Sequence, residues 1–275
     1  MSGFIQDYVK FYINSANRVT GTPSDFIYSL PIPQGRKFDS VAVLQACIPL
    51  SYYLITKGNN TFIIKEIEER VITIPEGNYN ASNFATTLKT LLNSGPNGWV
   101  YNCSLPSSSE PSTGKYKFTV TNNTAQPEFT FPIDSDLYRQ FGFSKESRNV
   151  FVNNELYSAS VVIFIPETSV FIHSDICDNI SGVNILQEVY SNNTVPFSNI
   201  TYLAADVEAY TKKLRTNESN VFSFTVCDHH KHTLDTNGLE VLMTILVYRK
   251  QTFPHVFKNY LRNLQAIQNA NIIEE

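Results

Sequence analysis

The densest group of chemically active side chains lies in one short segment, at Cys227, His229, His230 and His232. Imidazole and thiolate are good ligands for zinc or copper, and alternate residues of an extended segment point to the same side. However, adjacent ligands in one short stretch rarely surround an ion without a distant partner. This stretch also lies between two predicted strands, where a polar loop is expected. We favour the loop and expect no bound metal and no cofactor.

A third interpretation of this segment is pH sensing. Neighbouring imidazoles titrate near neutrality and would repel one another once protonated. If the loop lay at a subunit contact, acidification would weaken that contact. The histidines therefore leave three alternatives open: a connecting loop, a metal site and a pH-sensitive contact.

Acidic residues raise the question of carboxylate catalysis. Glu66 and Glu68 fall on one face of a presumed strand, where acids are normally solvated. Asp134 and Asp136 flank a presumed helix start, where acids offset the helix dipole. Residues 235–238 carry part of a calcium-loop pattern but lack its upstream Asp and final Glu, so we interpret them as a tight turn with Gly238 at positive φ.

Common catalytic motifs are missing from the sequence. It contains no GxGxxG, no GxxxxGK[ST] phosphate loop, no HExxH and no GxSxG. These are the usual signatures of dinucleotide, phosphate, zinc-protease and hydrolase sites. The expectation is that the protein is not an enzyme, with an unrecognised enzyme as a remaining alternative.

The composition favours a folded, mainly β protein. The chain has 275 residues, of which 42% are hydrophobic and 17% charged, so it can bury a substantial core. Aromatic and β-branched residues fill most segments, and Asn, Ser and Thr lie between them, as in short strands joined by polar loops. The 21 Lys and Arg are scattered over a chain of net charge −4, so we expect no direct nucleic-acid partner.

The cysteine spacing indicates the redox compartment of the protein, and the length of the apolar runs indicates whether it could cross a membrane. Cys47, Cys103, Cys177 and Cys227 are far apart and form no CxxC pair, so they are interpreted as free thiols in a reducing compartment. The longest apolar runs, such as residues 41–50, fall short of the roughly 20 residues that cross a bilayer. We therefore expect no membrane span.

Many short strands are predicted, and their even spacing suggests a sandwich or jelly roll. We expect residues 39–49 to form a central strand buried on both faces, and to pair in a hairpin with residues 61–67. The predicted strands are residues 8–13, 25–30, 39–49, 61–67, 71–74, 99–104, 115–121, 128–133, 160–165, 169–176, 183–190, 200–207, 222–226 and 239–248.

Three segments have helical signals. Residues 81–92 form the clearest helix, capped by Asn80 or Ser82, and residues 134–141 form a helical turn capped by Asp134 or Ser135. A C-terminal amphipathic helix is predicted over residues 255–270, because apolar residues recur there at helical spacing. It would pack either on its own barrel or on a neighbouring subunit. Its apolar positions are Phe257, Leu261, Leu264 and Ile267.

An ordered series of short motifs spans nearly the whole chain. Read in order, the series resembles the penton proteins of virophages, polinton-like viruses and adintoviruses, and more distantly those of other jelly-roll DNA viruses. The order is more specific than any single motif. The motifs are Arg18 with GTPSDF at 21–26, IPLSYY at 48–53, IPEGNYN at 74–80, FGF at 141–143, IHSDI at 172–176, PFSNI at 196–200 and LDTNG at 234–238.

This resemblance implies a single jelly roll interrupted by an inserted α+β domain. The expected jelly-roll domain comprises residues 1–68 and 168–275, and the expected insertion comprises residues 69–167. Five copies would close an icosahedral vertex as a homopentamer and contact the major capsid protein. A fibre or host receptor is a further possible partner. The protein would reside in the virion, assembled inside the host cell.

Two other classes of function stay open. One is a minor or cement capsid protein, which its stoichiometry in the particle would separate from a vertex protein. The other is a jelly-roll attachment protein that binds carbohydrate or a receptor through exposed Tyr and Asn on its loops. A concave site lined by aromatic residues would favour the attachment protein, whereas a flat apolar side of the barrel would favour the penton.

Overall fold

A computed structural model of the chain describes residues 5–33, 35–105, 111–145, 148–164, 169–178, 184–190, 195, 197–215, 220–250 and 260–263. Within these residues the protein is mainly β, as the sequence predicts. The chain divides into a first unit, residues 1–52 and 167–275, and a second unit, residues 53–166.

The strands are short and numerous, and all of their pairings are antiparallel. In chain order they are β1 Ile5–Asn14, β2 Thr20–Gly21, β3 Asp25–Ser29, β4 Ser40–Pro49, β5 Thr61–Lys65, β6 Glu69–Thr73, β7 Val100–Ser104, β8 Lys117–Thr121, β9 Glu128–Thr130, β10 Asn149–Val150, β11 Glu155–Tyr157, β12 Ser169–Ser174, β13 Ile185–Tyr190, β14 Asn199–Leu203, β15 Lys212–Lys213, β16 Val221–Cys227 and β17 Leu242–Lys250.

The first unit consists of two sheets. The first sheet has the order β1-β17-β4-β14, with β15 also pairing to β4, and the second sheet has the order β13-β12-β16-β3-β2. The eight longer strands of this unit can be numbered 1 to 8 along the chain, and they are β1, β3, β4, β12, β13, β14, β16 and β17. In this numbering the strand orders of the two sheets are 1-8-3-6 and 5-4-7-2. This is the strand order of a jelly roll, so the predicted fold class is confirmed.

The core of the first unit contains side chains from both sheets. Alternate residues of each strand point inward, as the pleat of a strand requires, so that Val43 of β4 and Ile245 of β17 share one cluster with Phe224 of β16. On the opposite face of the first sheet, Ala42 packs with Leu246 and Tyr248 in a smaller cluster. Residues 40–43 are therefore buried on both faces, as predicted for the central strand. The prediction is wrong for the second half of β4, where Gln45 is exposed and Leu44 and Cys47 are partly exposed.

The predicted hairpin between residues 39–49 and 61–67 is wrong. Both edges of β4 are occupied, by β17 on one side and by β14 and β15 on the other. Strand β5 pairs instead with β6 and β9 inside the second unit. Residues 53–68, which we expected in the jelly roll, accordingly belong to the second unit. That the two units are separate folding domains stays a prediction.

The second unit contains two small sheets around an aromatic core. The sheets have the orders β10-β9-β5-β6 and β11-β8-β7. Phe62, Phe118, Phe129 and Phe141 are fully buried in one cluster, and their rings pack mostly edge to face. Such ring pairs add stability beyond the area that they bury.

The strand predicted at residues 160–165 does not form within the described residues 160–164. Its amides make separate hydrogen bonds instead of a ladder. Ser160 N–H donates to the Gly142 carbonyl at 2.8 Å, and Val162 N–H donates to the Gly114 carbonyl at 2.9 Å. An apolar run therefore packs against the core without joining a sheet.

The helix over residues 81–92 is confirmed as α1, Ala81–Leu92. Asn80 accepts the N–H groups of Ser82 and Asn83, and the Asn83 side chain accepts the Asn80 N–H, which completes a capping box. The second helix, α2, is only Tyr138–Phe141, and its N-cap residue Leu137 makes no side-chain cap bond. Ser135, one of the two predicted caps, accepts the Leu137 N–H at 3.2 Å, but it lies two residues before the N-cap residue of the observed helix.

The predicted C-terminal helix falls mostly outside the described residues. Residues 260–263 are helical and exposed, and the remainder of the predicted range 255–270 is not described. Within the ranges that the structure describes, no helix is long and apolar enough to cross a membrane.

Gly142 ends α2 in a left-handed conformation, with φ 72°, and has no room for a side chain. A Cβ at this position would lie 2.3 Å from the Ser160 carbonyl oxygen and 2.9 Å from Ser158 Cβ. Gly98 offers a matched comparison, because it has φ 69° but no heavy atom within 4 Å of the same position.

We expect Gly142→Ala to lower the free energy of unfolding by roughly 3 kcal/mol, since backbone strain and overpacking add. Gly98→Ala should cost only about 1 kcal/mol, from the left-handed conformation alone. Urea denaturation followed by circular dichroism measures both. Equal losses in the two variants would contradict the packing around Gly142.

Candidate functional site

The histidine segment is an exposed loop at the end of β16. Asp228 organises it, because one of its carboxylate oxygens accepts the backbone N–H groups of His230 and His232, each at 2.8 Å. The other oxygen lies 3.2 Å from Nδ1 of His232. The rings of His229 and His230 are 3.7 Å apart between centroids. The segment is therefore a connecting loop, as favoured from the sequence.

The four candidate metal ligands differ in environment. Cys227 is buried, and burial raises the pKa of its thiol to about 11, so the thiol is protonated at neutral pH. A metal ligand has to be the thiolate. The three histidines are exposed on the loop. Among the described residues, no group of three or more His, Cys, Asp or Glu has a geometry that could hold a metal ion.

One further histidine lies near this loop, and sequence reasoning did not select it. His173 on β12 is partly buried, and burial lowers its pKa, with a smaller contribution from the charge of Lys231 on the loop. His173 pairs across the sheet with Thr225 of β16. The sequence offered no signal for this proximity, because it depends on the pairing of β12 with β16.

The two acids of the first presumed carboxylate pair, Glu66 and Glu68, lie in different environments. Glu68 is exposed, whereas Glu66 is buried, so the prediction that both acids are solvated is wrong for Glu66. Glu66 accepts hydrogen bonds from the Tyr101 hydroxyl at 2.8 Å and from the Asn97 amide at 2.9 Å. The Arg70 guanidinium lies 3.4 Å away and also donates to the carbonyls of Leu91 and Leu92 at the end of α1.

This arrangement anchors the helix and does not form a catalytic pair. Burial raises the pKa of Tyr101, and its hydrogen bond to Glu66 raises it further, so Tyr101 stays a neutral donor. The carboxylate of Glu66 is thereby paired and hydrogen-bonded, as a buried charge must be. Asp134 is exposed and Asp136 is half-buried beside α2. Residues 235–238 form the expected turn, with Gly238 at φ 81°.

The outer face of the first sheet is the largest feature that sequence reasoning missed. We define the outer sheet face as the exposed or partly exposed side chains Tyr8, Tyr12, Cys47, Leu203 and Leu242. Tyr12 is 74% exposed and Leu203 is 78% exposed. The alternation of β1 separates Tyr8 and Tyr12 from the buried Ile13, but sequence alone does not say which face is covered.

The strand register places these side chains side by side. Tyr12 lies opposite Thr244, Thr244 opposite Gln45, and Gln45 opposite Leu203, so that one row crosses all four strands. In the next row, Leu242 lies opposite Cys47. The outer sheet face therefore brings exposed apolar side chains near one another among polar residues such as Gln45 and Thr244. Exposed apolar groups that lie close together can mark a protein contact.

Comparisons with known proteins found similarity to solved structures. No protein-family model matches the chain, and no curated protein matches it. Among solved structures, the crystal structure of selenomethionine-labelled mavirus penton protein is similar, with 12% sequence identity and a TM-score of 0.49. The match covers 89% of this chain and 100% of that chain. The jelly-roll class itself is defined by the strand order of the first unit.

We expect Glu66→Gln to lower the free energy of unfolding by roughly 1–3 kcal/mol, because a buried amide N–H₂ would replace an acceptor of Tyr101 or Asn97. Glu68→Gln is the matched control and should change stability by less than about 0.5 kcal/mol, because Glu68 is exposed. Urea denaturation measures the difference. Indistinguishable midpoints for the two variants would contradict the anchoring role of Glu66.

A second prediction concerns pH. A histidine whose pKa is lowered by folding is protonated more readily in the unfolded chain, so stability falls as the pH drops below its ordinary value of about 6.5. We therefore expect His173→Gln to lose less stability than the unmodified chain between about pH 7 and about pH 5. Lys231→Gln should give a smaller change in the same direction. Thermal melts across this range, parallel for all three proteins, would refute the prediction.

Proposed function

We propose that this protein is a structural virion protein that forms the pentameric vertex of an icosahedral capsid and contacts the major capsid protein. The observation that carries the proposal is the outer sheet face on a jelly-roll scaffold. Jelly rolls occur in viral capsid proteins and in lectins. Exposed apolar side chains on one side of the barrel favour assembly, whereas a lectin binds its ligand in a concave site.

Two further features support this proposal. The motif series from Arg18 to residues 234–238 follows the order found in penton proteins, and it spans both units. The second unit also lies in the chain between β4 and β12, the third and fourth strands of the jelly roll, and it overlaps the expected insertion over residues 69–167.

Assembly would act through contacts and would need no catalytic group. A ring of five copies requires a heterologous interface, in which one surface of each copy binds a different surface of the next. A stable interface buries roughly 800 Å² on each partner. The exposed side chains Tyr12 and Leu203 offer apolar groups for such a contact. The partners beyond the ring would be the shell protein and a fibre or host receptor.

The localisation follows from the same proposal. All four cysteines are free, as predicted, and three of them are buried. Free thiols are typical of proteins that fold in a reducing compartment. We therefore propose assembly inside the host cell and residence in the virion.

The mass of the purified protein in solution tests the vertex role. Light scattering at several concentrations should reveal a species of five times 31.1 kDa, about 156 kDa, and negative-stain images of the same sample should show five-fold rings. A monomer over the whole range, with binding on a glycan array, would overturn the proposal in favour of an attachment protein.

Single substitutions locate the interface. Tyr12→Lys should reduce the pentamer fraction by at least about tenfold at a fixed concentration, because a charge would replace a buried aromatic contact. Tyr190→Lys is the matched control on the second sheet, where the side chain is 67% exposed, and it should leave the fraction unchanged. A pentamer insensitive to Tyr12→Lys would exclude the outer sheet face from the ring contact.

A further inference from the structure

The outer sheet face has a definite size, and its exposed apolar side chains lie on the edge strands and at the Leu242 end of β17, whereas Thr244 between them is buried. Strands in a sheet lie about 4.8 Å apart, so the row from Tyr12 to Leu203 is about 14 Å wide. From Tyr8 to Asn14 along β1 the face is about 20 Å long. Leu44 and Val207 pack on the cluster of Ala42, Leu246 and Tyr248, which covers one part of the sheet. Tyr12, Leu203 and Leu242 stay exposed.

The C-terminal segment, residues 251–275, begins at the edge of this face. It follows Lys250, which ends β17 opposite Ile5 of β1 and donates its N–H to Asp39 at 2.9 Å. Its sequence has the amphipathic pattern of Phe257, Leu261, Leu264 and Ile267. A helix over residues 255–270 would be about 24 Å long, close to the length of the outer sheet face.

The described part of this segment is not covered by its own chain. Residues 260–263 are helical, Tyr260 is 60% exposed and Leu261 is 43% exposed. Leu261 belongs to the apolar stripe, so the stripe has an exposed member in the single chain. The chain thus carries exposed apolar side chains on the outer sheet face and an amphipathic segment with an exposed apolar residue.

We infer that the C-terminal segment of one copy docks on the outer sheet face of the next copy. This inference rests on the proposed function and names the contact that would join neighbouring copies. Each copy gives one segment and receives one, so the interface is heterologous and can close into a ring. An amphipathic helix on an apolar surface buries its stripe and keeps its polar face in water. The exposed leucines of both surfaces lose their contact with water in the same step.

Cys47 reports directly on this contact. It is part of the outer sheet face and is partly exposed, whereas Cys103, Cys177 and Cys227 are buried. Its rate of modification by a small maleimide under native conditions therefore measures whether the face is covered. A Cys47→Ser variant identifies the background from the other thiols.

We expect Cys47 to react slowly in the assembled full-length protein and at least about tenfold faster after dilution to the monomer. Leu261→Lys should give the fast rate at every concentration, because a charge would disrupt the apolar contact. Leu239→Lys is the matched control, since Leu239 is 51% exposed in the turn before β17 and lies outside the outer sheet face. It should behave as the unmodified protein.

The outcomes separate this inference from the proposed function. Five-fold rings in which Leu261→Lys leaves Cys47 as slow as before would overturn the docking and leave the vertex role intact. Slow labelling that does not depend on concentration, in a protein that stays monomeric, would show the segment on its own chain and would overturn both. Fast labelling at all concentrations in the unmodified protein would overturn the docking.

Discussion

The pairing of β17 between β1 and β4 is the constraint on which the jelly roll depends. Tyr8 near the start of the chain lies opposite Tyr248 near its end, and Tyr248 lies opposite Ser40. Closing so long a loop costs entropy, but the cost grows only with the logarithm of its length. Burial of alternate residues such as Val43 and Ile245 offsets that cost. Without β17 the core would be open on one side and two strand edges would be unpaired.

The second unit depends on a different combination of forces. Its core is aromatic and its sheets are small, so the helix α1 has to be held at a defined position. Arg70 does this by binding the carbonyls at the end of α1 while it pairs with the buried Glu66. A buried charge of this kind is tolerated because every oxygen of the carboxylate has a donor.

Under the proposed function, surfaces and not a cluster of reactive groups would carry the activity. The histidine loop is rich in ligating residues, yet Asp228 uses its carboxylate to order the loop backbone, and Cys227 is a buried, protonated thiol. The outer sheet face has no reactive group apart from Cys47, but it brings apolar side chains from four neighbouring strands to one side of the sheet. Assembly is the activity that such a surface can support.

The sequence by itself determined the local elements. The capping residues and apolar spacing of residues 81–92 predicted α1 at its observed bounds, and the β-rich composition predicted the mainly β class, because these signals depend on neighbouring residues alone. Tertiary structure alone decided that β4 pairs with β17 and β14, that Glu66 is buried, and that Tyr12 and Leu203 share one row. Those features depend on strand register between distant segments, and a register is chosen by which side chains the assembled core can bury.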